Sequence, residues 1–213
     1  MIKAVIFDMD GLMFDTERLY VQAWDYAGEQ LGLGKVGYMN LKTLGMNITL
    51  ARQVWMEEFG GLYDEEGINY HAKVFLKDYF SKNKLPVKPG LYALLEHLAC
   101  RGYKLAVASS TYHDEVLDKL RHAGVDFYFH AVIGGDMVRH SKPDPEIYLA
   151  ACRAVGEPPQ NCMALEDSRN GILSAHRAGC LPVMVPDLWQ PDEEIERILY
   201  KKADSLYDVL AIT

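Results

Sequence analysis

Five short, continuously apolar segments constrain the fold of this chain more than any other feature. They lie at residues 4–7, 105–108, 131–133, 163–165 and 182–185. Strands that are buried on both faces read as unbroken apolar runs, whereas half-exposed strands alternate between apolar and polar residues. Patterns typical of helices separate the last four runs. This alternation predicts an α/β fold, a doubly wound parallel sheet that is covered by helices on both faces.

The segment between the first two predicted strands has a different character. Residues 16–85 show no strand pattern, and apolar residues recur there at helical spacing. Examples are Leu19, Ala23, Trp24, Ala27 and Leu31. Roughly 70 helical residues exceed the dozen or so that one crossover connection needs. We therefore expect an all-helical cap at 16–85, inserted into an α/β catalytic core formed by 1–15 and 86–213.

Composition and charge argue against several classes of protein. The 213 residues carry a formal net charge of −8, whereas nucleic-acid binding needs a basic face. No apolar run approaches the roughly 20 residues of a membrane span, and the first run is too short for a signal peptide. The four cysteines show neither C-x-x-C nor zinc-like spacing, as is usual in a reducing compartment. We expect a cytoplasmic monomer with no nucleic-acid or membrane partner.

Polar residues collect where the predicted strands end. They are Asp8 and Asp10, then Ser109 and Ser110, then Lys142 beyond the third strand, and finally Glu166 and Asp167. Open parallel sheets bind ligands beyond the carboxyl ends of their strands. Carboxylates gathered there repel one another by about 4 kcal/mol at roughly 4 Å, so they need a cation. Hard oxygen ligands without His or Cys favour Mg²⁺, and Lys142 could supply a further positive charge.

The spacing of Asp8 and Asp10 suits a hydrolysis in two steps. A turn at Gly11 can bring both carboxylates into one pocket. One carboxylate can then attack a phosphate ester and form an acyl-phosphate, while the other protonates the leaving oxygen and later activates water. Gly11 also allows backbone N–H groups to approach a phosphate closely.

A helix is predicted directly after the second strand. Thr111, followed three residues later by Asp114, has the pattern of a capping box, in which the threonine hydroxyl satisfies a backbone N–H of the first turn. Contact of Ser110 or Thr111 with a phosphate group is the alternative.

Four motifs follow one another along nearly the whole chain. They are Asp8-Met9-Asp10-Gly11 with Asp15-Thr16, Ser109 at a strand end, Lys142 in Ser141-Lys142-Pro143-Asp144-Pro145, and Glu166-Asp167-Ser168 with Gly171. Together they resemble the motifs of the haloacid dehalogenase (HAD) superfamily, and within it the phosphatases and phosphomutases related to β-phosphoglucomutase. The run FDMDGLMFDTERLY is similar to that of the subgroup containing pseudouridine-5′-phosphatase.

The resemblance implies a HAD-like phosphoric monoester hydrolase that uses Mg²⁺. Asp8 would be the nucleophile and a metal ligand, and Asp10 the general acid/base, which binds the metal through its backbone carbonyl. Asp167 would hold the metal, and a direct contribution of Glu166 stays open. Ser109 and Lys142 would bind the phosphoryl oxygens of a small phosphorylated metabolite. Gly11 and Ser110 complete the candidate phosphate-binding set.

Residues of the cap are expected to choose the substrate. The candidates are Glu17 and Tyr20, just after the first motif, and Asn47, in a loop at 44–47 that touches the leaving group in this family. Relatives often carry an arginine near Asn47, and the mutases carry a histidine where this chain has Tyr20. Both departures favour hydrolysis over phosphoryl shuttling.

Three functions remain open on the sequence. The first is a Mg²⁺-dependent phosphatase that hydrolyses a sugar phosphate or a nucleotide-like phosphate through an aspartyl-phosphate. The second is a β-phosphoglucomutase-like phosphomutase. The third is a receiver-like signalling protein that only accepts a phosphoryl group, although receivers are much shorter and lack a helical insertion.

Overall fold

The computed structural model of this chain describes residues 1–43 and 48–213. The chain divides into two compact units. One unit consists of Met1–Phe14 and Val87–Thr213, and the other of Asp15–Pro86. The first unit combines strands and helices, whereas the regular structure described in the second is helical. Use of the helical unit as a cap in catalysis stays a prediction.

Six parallel strands form one sheet in the described part of the α/β unit. They are β1 (Ala4–Phe7), β2 (Lys104–Ala108), β3 (Ala131–Ile133), β4 (Cys162–Glu166), β5 (Leu181–Met184) and β6 (Lys201–Lys202). Their order across the sheet is β3-β2-β1-β4-β5-β6. β1 therefore has β2 on one side and β4 on the other, with Ala4 paired to Lys104 and to Cys162. The strand order reverses at β1, which is where sheets of this kind bind ligands.

The helical unit has an apolar core of its own. Its helices are α1 (Glu17–Gln30), α2 (Met39–Thr43), α3 (Ile48–Phe59) and α4 (Glu65–Lys82). Ala23 and Ala27 of α1 pack with Trp55 of α3 and Ile68 of α4. Trp24 meets Trp55 edge to face, with ring centroids 5.4 Å apart, so its ring contributes to this core.

The helices of the α/β unit cover both faces of its sheet. They are α5 (Leu91–Cys100), α6 (His113–Ala123), α7 (Glu146–Val155), α8 (Arg169–Ala178), α9 (Glu193–Glu196) and α10 (Leu206–Val209). Residues of α7 and α8 pack in one cluster with Ala4 and Ile6. Because side chains alternate along a strand, Val5 and Phe7 point to the opposite face, and they are also fully buried.

The predicted fold class is confirmed, a doubly wound parallel α/β sheet. β1 and β3 have the predicted bounds, and β2, β4 and β5 differ from the predicted runs by one residue at their ends. β6 was missed because its two residues, Lys201 and Lys202, are exposed and carry no apolar pattern. Over the described ranges, no helix is long and apolar enough to cross a membrane.

Candidate active site

The end of β1 brings Asp8 to the point where the strand order reverses. Asp8 directly follows the last residue of β1, and its backbone N–H donates to the carbonyl of Leu165 on β4 at 3.0 Å. Its side chain is 11% exposed. The carboxylate therefore sits at the switch point of the sheet and is largely shielded from water.

Lys142 carries the positive charge of this site. Its ammonium lies 2.5 Å from Oδ1 of Asp8 and 2.6 Å from Oε1 of Glu166, and it also donates to the backbone carbonyl of Ala108 at 3.0 Å. The lysine side chain is 7% exposed. The loop after β3 and the ends of β1, β2 and β4 thus meet at one ammonium group, as expected for polar residues that follow parallel strands.

Glu166 is held by hydrogen bonds at both of its oxygens. Oε1 accepts from Lys142 and, at 2.6 Å, from the hydroxyl of Tyr148 on α7. Oε2 accepts from the backbone N–H of Ser168 at 3.4 Å and from its hydroxyl at 3.1 Å. The carboxylate is fully buried. These contacts fix Glu166 as a partner of Lys142.

Gly171 makes room for this carboxylate. A Cβ atom at this position would fall about 2.0 Å from the Glu166 oxygens. Ser168, the N-cap of α8, accepts the backbone N–H of Gly171 at 3.1 Å. The first turn of α8 therefore lies directly against the carboxylate of Glu166.

Burial shifts the proton equilibria of the two central groups. Burial raises the pKa of the Asp8 carboxyl to about 8, against the lowering effect of the Lys142 ammonium, and the nearby Glu166 and Asp10 carboxylates add to the rise. For Lys142, burial favours loss of the proton, but Asp8 and Glu166 together hold its pKa above the ordinary value of 10.5. Lys142 therefore stays charged at neutral pH, and the proton affinity of Asp8 depends on which cations stand beside it.

Asp167 completes a cluster of three buried carboxylates. Ligand oxygens of Asp8, Glu166 and Asp167 lie within 4.8 Å of one another. Gly11 permits this approach, because a Cβ atom there would lie 2.1 Å from Oδ2 of Asp167. Gly11 also has a φ of +86°, which favours glycine, and it donates its N–H to the carbonyl of Phe14 at 2.9 Å.

The donor set of this cluster fits Mg²⁺. It consists of carboxylate oxygens, without His or Cys, which is the chemistry that hard divalent cations prefer. Asp8 and Asp167 can contribute an oxygen each, whereas Glu166 already serves Lys142, Tyr148 and Ser168. The arrangement supplies an acidic cluster and a fixed ammonium side by side.

Asp10 lies in a different set of contacts from Asp8. Lys119 of α6 donates to its Oδ1 at 2.6 Å, and the hydroxyl of Thr111 donates to its Oδ2 at 2.8 Å. The predicted capping box at Thr111 is wrong. The residue before α6 is Tyr112, which makes no side-chain cap, and the Thr111 hydroxyl is used by Asp10.

Sequence reasoning missed Lys119. A weak signal was present, because Lys119 lies three residues after Val116 and one before Leu120, both buried. It therefore stands beside the apolar face of α6 instead of on its solvent face. Only the folded structure, in which its ammonium contacts Asp10, identifies its partner.

The predicted phosphate-binding residues lie around the same sheet edge. Ser109 follows β2 and is buried, and its hydroxyl accepts the backbone N–H of Thr111 at 3.1 Å. Ser110 is exposed. Gly11 and Lys142 stand next to the carboxylate cluster, as described above. Phosphate binding by these four residues stays a prediction.

The predicted substrate residues of the helical unit are only partly described. Glu17 lies in the first turn of α1, and its Oε2 accepts from the side-chain amide of Asn40 at 2.8 Å. Tyr20 is half-buried one turn later. Asn47 lies outside the described residues. A role of these three residues in choosing the substrate stays a prediction.

Comparison with known proteins decides the family. A model of the haloacid dehalogenase-like hydrolases matches residues 2–179, which is most of the chain. The chain belongs to the haloacid dehalogenase-like hydrolases. This match and the phosphatases among its relatives confirm the predicted enzyme class, a HAD-like phosphoric monoester hydrolase.

Curated relatives of this HAD-like hydrolase include named phosphatases. "Phosphorylated carbohydrates phosphatase" of Thermotoga maritima is 33% identical over 178 residues, covering 84% of this chain and 82% of that protein. "Probable pseudouridine-5'-phosphatase" of Drosophila melanogaster is 31% identical over 188 residues, covering 85% of this chain and 80% of that protein.

Solved structures share the whole fold. The crystal structure of CbbY from Rhodobacter sphaeroides in complex with phosphate is 26% identical and superposes with a TM-score of 0.79. The match covers 98% of this chain and 96% of that chain. The likeness therefore extends over both units of the HAD-like hydrolase.

Proposed function

We propose that this hydrolase is a Mg²⁺-dependent phosphatase that cleaves a small phosphomonoester through an aspartyl-phosphate on Asp8. One observation carries the proposal, the buried contact of 2.5 Å between Asp8 and Lys142 at the switch point of the sheet, beside two further carboxylates. A carboxylate nucleophile, a fixed ammonium and a cation site in one place are what phosphoryl transfer needs.

The first half-reaction transfers the phosphoryl group to the enzyme. An oxygen of the Asp8 carboxylate attacks phosphorus, and the bond from phosphorus to the ester oxygen breaks. Asp10 gives its proton to that leaving oxygen, so the product leaves as a neutral alcohol. The Lys142 ammonium offsets negative charge on the phosphoryl oxygens, supported by Ser109, Ser110 and Gly11.

The second half-reaction restores the enzyme. Water attacks phosphorus, Asp10 takes up one proton of that water, and the bond from phosphorus to the Asp8 oxygen breaks. Inorganic phosphate leaves, Asp8 is again a carboxylate, and Asp10 is again protonated for the next cycle. The atoms and the charges of both steps balance with water as the only co-reactant.

The side chains of Asp8 and Asp167 and the backbone carbonyl of Asp10 would hold Mg²⁺. When bound, the ion neutralises charge on the carboxylates and on the phosphoryl group. Glu166 acts in a different way, since it holds Lys142 in place through the contact of 2.6 Å. Near a cation the ionised form of Asp8 is favoured, which suits its role as a nucleophile.

The substrate class follows from the relatives. The names of the Thermotoga maritima and Drosophila melanogaster relatives support a phosphorylated carbohydrate or pseudouridine 5′-phosphate as the ester of this enzyme. We propose that the helical unit makes the choice, with Glu17, Tyr20 and Asn47 as contacts. The phosphomutase alternative is weakened because this chain has Tyr20 where the mutases carry a histidine, and Asn47 near the position where relatives often carry an arginine.

Turnover of a panel of phosphorylated metabolites tests the proposal. We expect release of inorganic phosphate from at least one sugar phosphate or from pseudouridine 5′-phosphate, with Mg²⁺ required and EDTA inhibitory. Asp8→Asn should lower the rate at least a thousandfold because the amide cannot attack, while circular dichroism shows an intact fold. Normal turnover by this variant, or isomerisation of a sugar phosphate without phosphate release, would contradict the proposal.

A further inference from the structure

Asp10 is held from a direction that the catalytic motifs do not explain. Lys119, in the middle of α6, places its ammonium 2.6 Å from Oδ1, and Thr111 donates to Oδ2 at 2.8 Å. Both oxygens of one carboxylate are therefore bound by donors more than 100 residues away along the chain. The Lys119 and Asp10 side chains are only 15% and 16% exposed.

The neighbouring charges on α6 behave differently. Asp118 and Arg121 flank Lys119 on the same helix and are 69% and 59% exposed, as usual for a solvated helix surface. An exposed ion pair contributes less than about 1 kcal/mol, whereas a shielded one is screened much less by water and salt. The Lys119 contact is therefore shielded from solvent as part of the candidate active site, and it differs from the ion pairs on the solvated surface of α6.

We propose that Lys119 is a positioning residue for the acid/base step, which rests on the proposed phosphatase function. Charge-assisted hydrogen bonds are short and directional, so donors at both oxygens restrict rotation of the Asp10 carboxyl group. A carboxyl group held in one orientation can deliver a proton to the leaving oxygen in each encounter. A freely rotating carboxyl group has the right orientation less often. Thr111 acts as the second, neutral donor of the same clamp.

The proposal separates two kinds of ester. The sugar of a sugar phosphate leaves as an alkoxide unless its oxygen is protonated, so cleavage of this ester depends fully on Asp10. The leaving group of p-nitrophenyl phosphate is a stabilised phenolate, which needs little proton donation. A lysine that positions the general acid therefore matters for the first ester and little for the second. A lysine that binds the phosphoryl group would matter for both.

The test compares Lys119→Met, Lys119→Arg and the wild-type enzyme, with Mg²⁺ present. Methionine keeps the apolar stem of the side chain and removes only the charge. For Lys119→Met we expect kcat/KM to fall ten- to a hundredfold with the metabolite of the panel that the wild type hydrolyses fastest, a sugar phosphate or pseudouridine 5′-phosphate, and less than threefold with p-nitrophenyl phosphate. Inhibition by orthophosphate should change less than twofold, and Lys119→Arg should recover most of the loss.

Arg121→Met serves as the matched control, since it removes an equal charge from the exposed side of α6. It should leave both rates unchanged. An equal loss for both esters, a tenfold weaker inhibition by orthophosphate, or no loss at all in Lys119→Met would overturn the positioning role. If the wild-type enzyme releases phosphate neither from any ester of the metabolite panel nor from p-nitrophenyl phosphate, the phosphatase proposal fails, and the role of Lys119 fails with it.

Discussion

At the scale of single residues, the site rests on one buried ammonium among carboxylates. Lys142 contacts both Asp8 and Glu166, and none of the three is exposed by more than about a tenth. Removing one partner of such a group is costly, because the charge that remains stays buried without compensation. The chemistry and the stability of this region therefore depend on the same contacts.

The raised pKa of Asp8 gives a prediction for the pH dependence of stability without metal. Its folded pKa is about 8, against an ordinary value of 3.8. Between these pH values the unfolded chain releases a proton that the folded protein keeps, so this group lowers the stability of the folded state as pH rises. Asp8→Asn removes the titrating group. We expect the difference in the free energy of unfolding, variant minus wild type, to increase as pH rises from 5 to 8.

Urea unfolding in EDTA at several pH values measures this difference. The pKa of Lys142 is raised above 10.5, so its contribution is constant below that value and cancels over the range tested. Wild-type and variant stabilities that run parallel from pH 5 to pH 8 would show that Asp8 is already ionised without metal.

At the scale of elements, the start of α8 joins helix capping to catalysis. The Ser168 hydroxyl accepts from the N–H of Gly171 and donates to Oε2 of Glu166. One hydroxyl therefore pairs with a backbone N–H that would otherwise be unsatisfied at the start of the helix, and it also holds the carboxylate that contacts Lys142. Polar residues at strand ends serve here both as caps and as parts of the site.

Ser168→Ala should cost more than the loss of an ordinary cap. Removing an N-cap side chain destabilises by about 1 kcal/mol, and a lost hydrogen bond to a charged group adds about 1.5–3 kcal/mol. We expect the free energy of unfolding to fall by about 2.5–4 kcal/mol and phosphatase activity to fall with it. Ser168→Thr keeps the hydroxyl and is the control. A stability loss of 1 kcal/mol or less in Ser168→Ala would show that the Glu166 contact contributes nothing.

At the scale of the whole molecule, a bound cation should couple the carboxylate cluster to global stability. A ligand that binds only the folded state stabilises it by about 2.7 kcal/mol at a concentration of 100 times its Kd. We expect Mg²⁺ to raise the melting temperature of the wild type. Asp167→Asn should remove most of this response, because Asp167 is a proposed ligand.

Glu166→Gln is the informative comparison. Since Glu166 serves Lys142 and Tyr148, its replacement should lower the melting temperature but leave the further rise with Mg²⁺ in place. Loss of the Mg²⁺ response in this variant would make Glu166 a direct ligand. A wild type that shows no response would contradict the metal site itself.

Local patterns predicted much of the α/β unit. Apolar runs located β1 and β3 with the observed bounds. The positions of the motif residues directly after the strands predicted an acidic cluster at one sheet edge, and the structure brings Asp8, Glu166 and Asp167 together there. The short strand at Lys201–Lys202 has no such pattern, because its pairing depends on a neighbour and not on its own residues.

The sequence by itself determined the class of fold, the family and the residues that could perform phosphoryl transfer, because burial on both faces and chemistry at strand ends leave direct marks in residue type. Only the tertiary structure decided the partners. It showed that the hydroxyl of Thr111 donates to Asp10 instead of capping α6, and that the ammonium of Lys119 also donates to Asp10. It also showed that Glu166 accepts hydrogen bonds from Lys142, Tyr148 and Ser168. These contacts join residues far apart in sequence, and hydrogen-bonding capacity alone does not say which of several reachable partners a side chain will take.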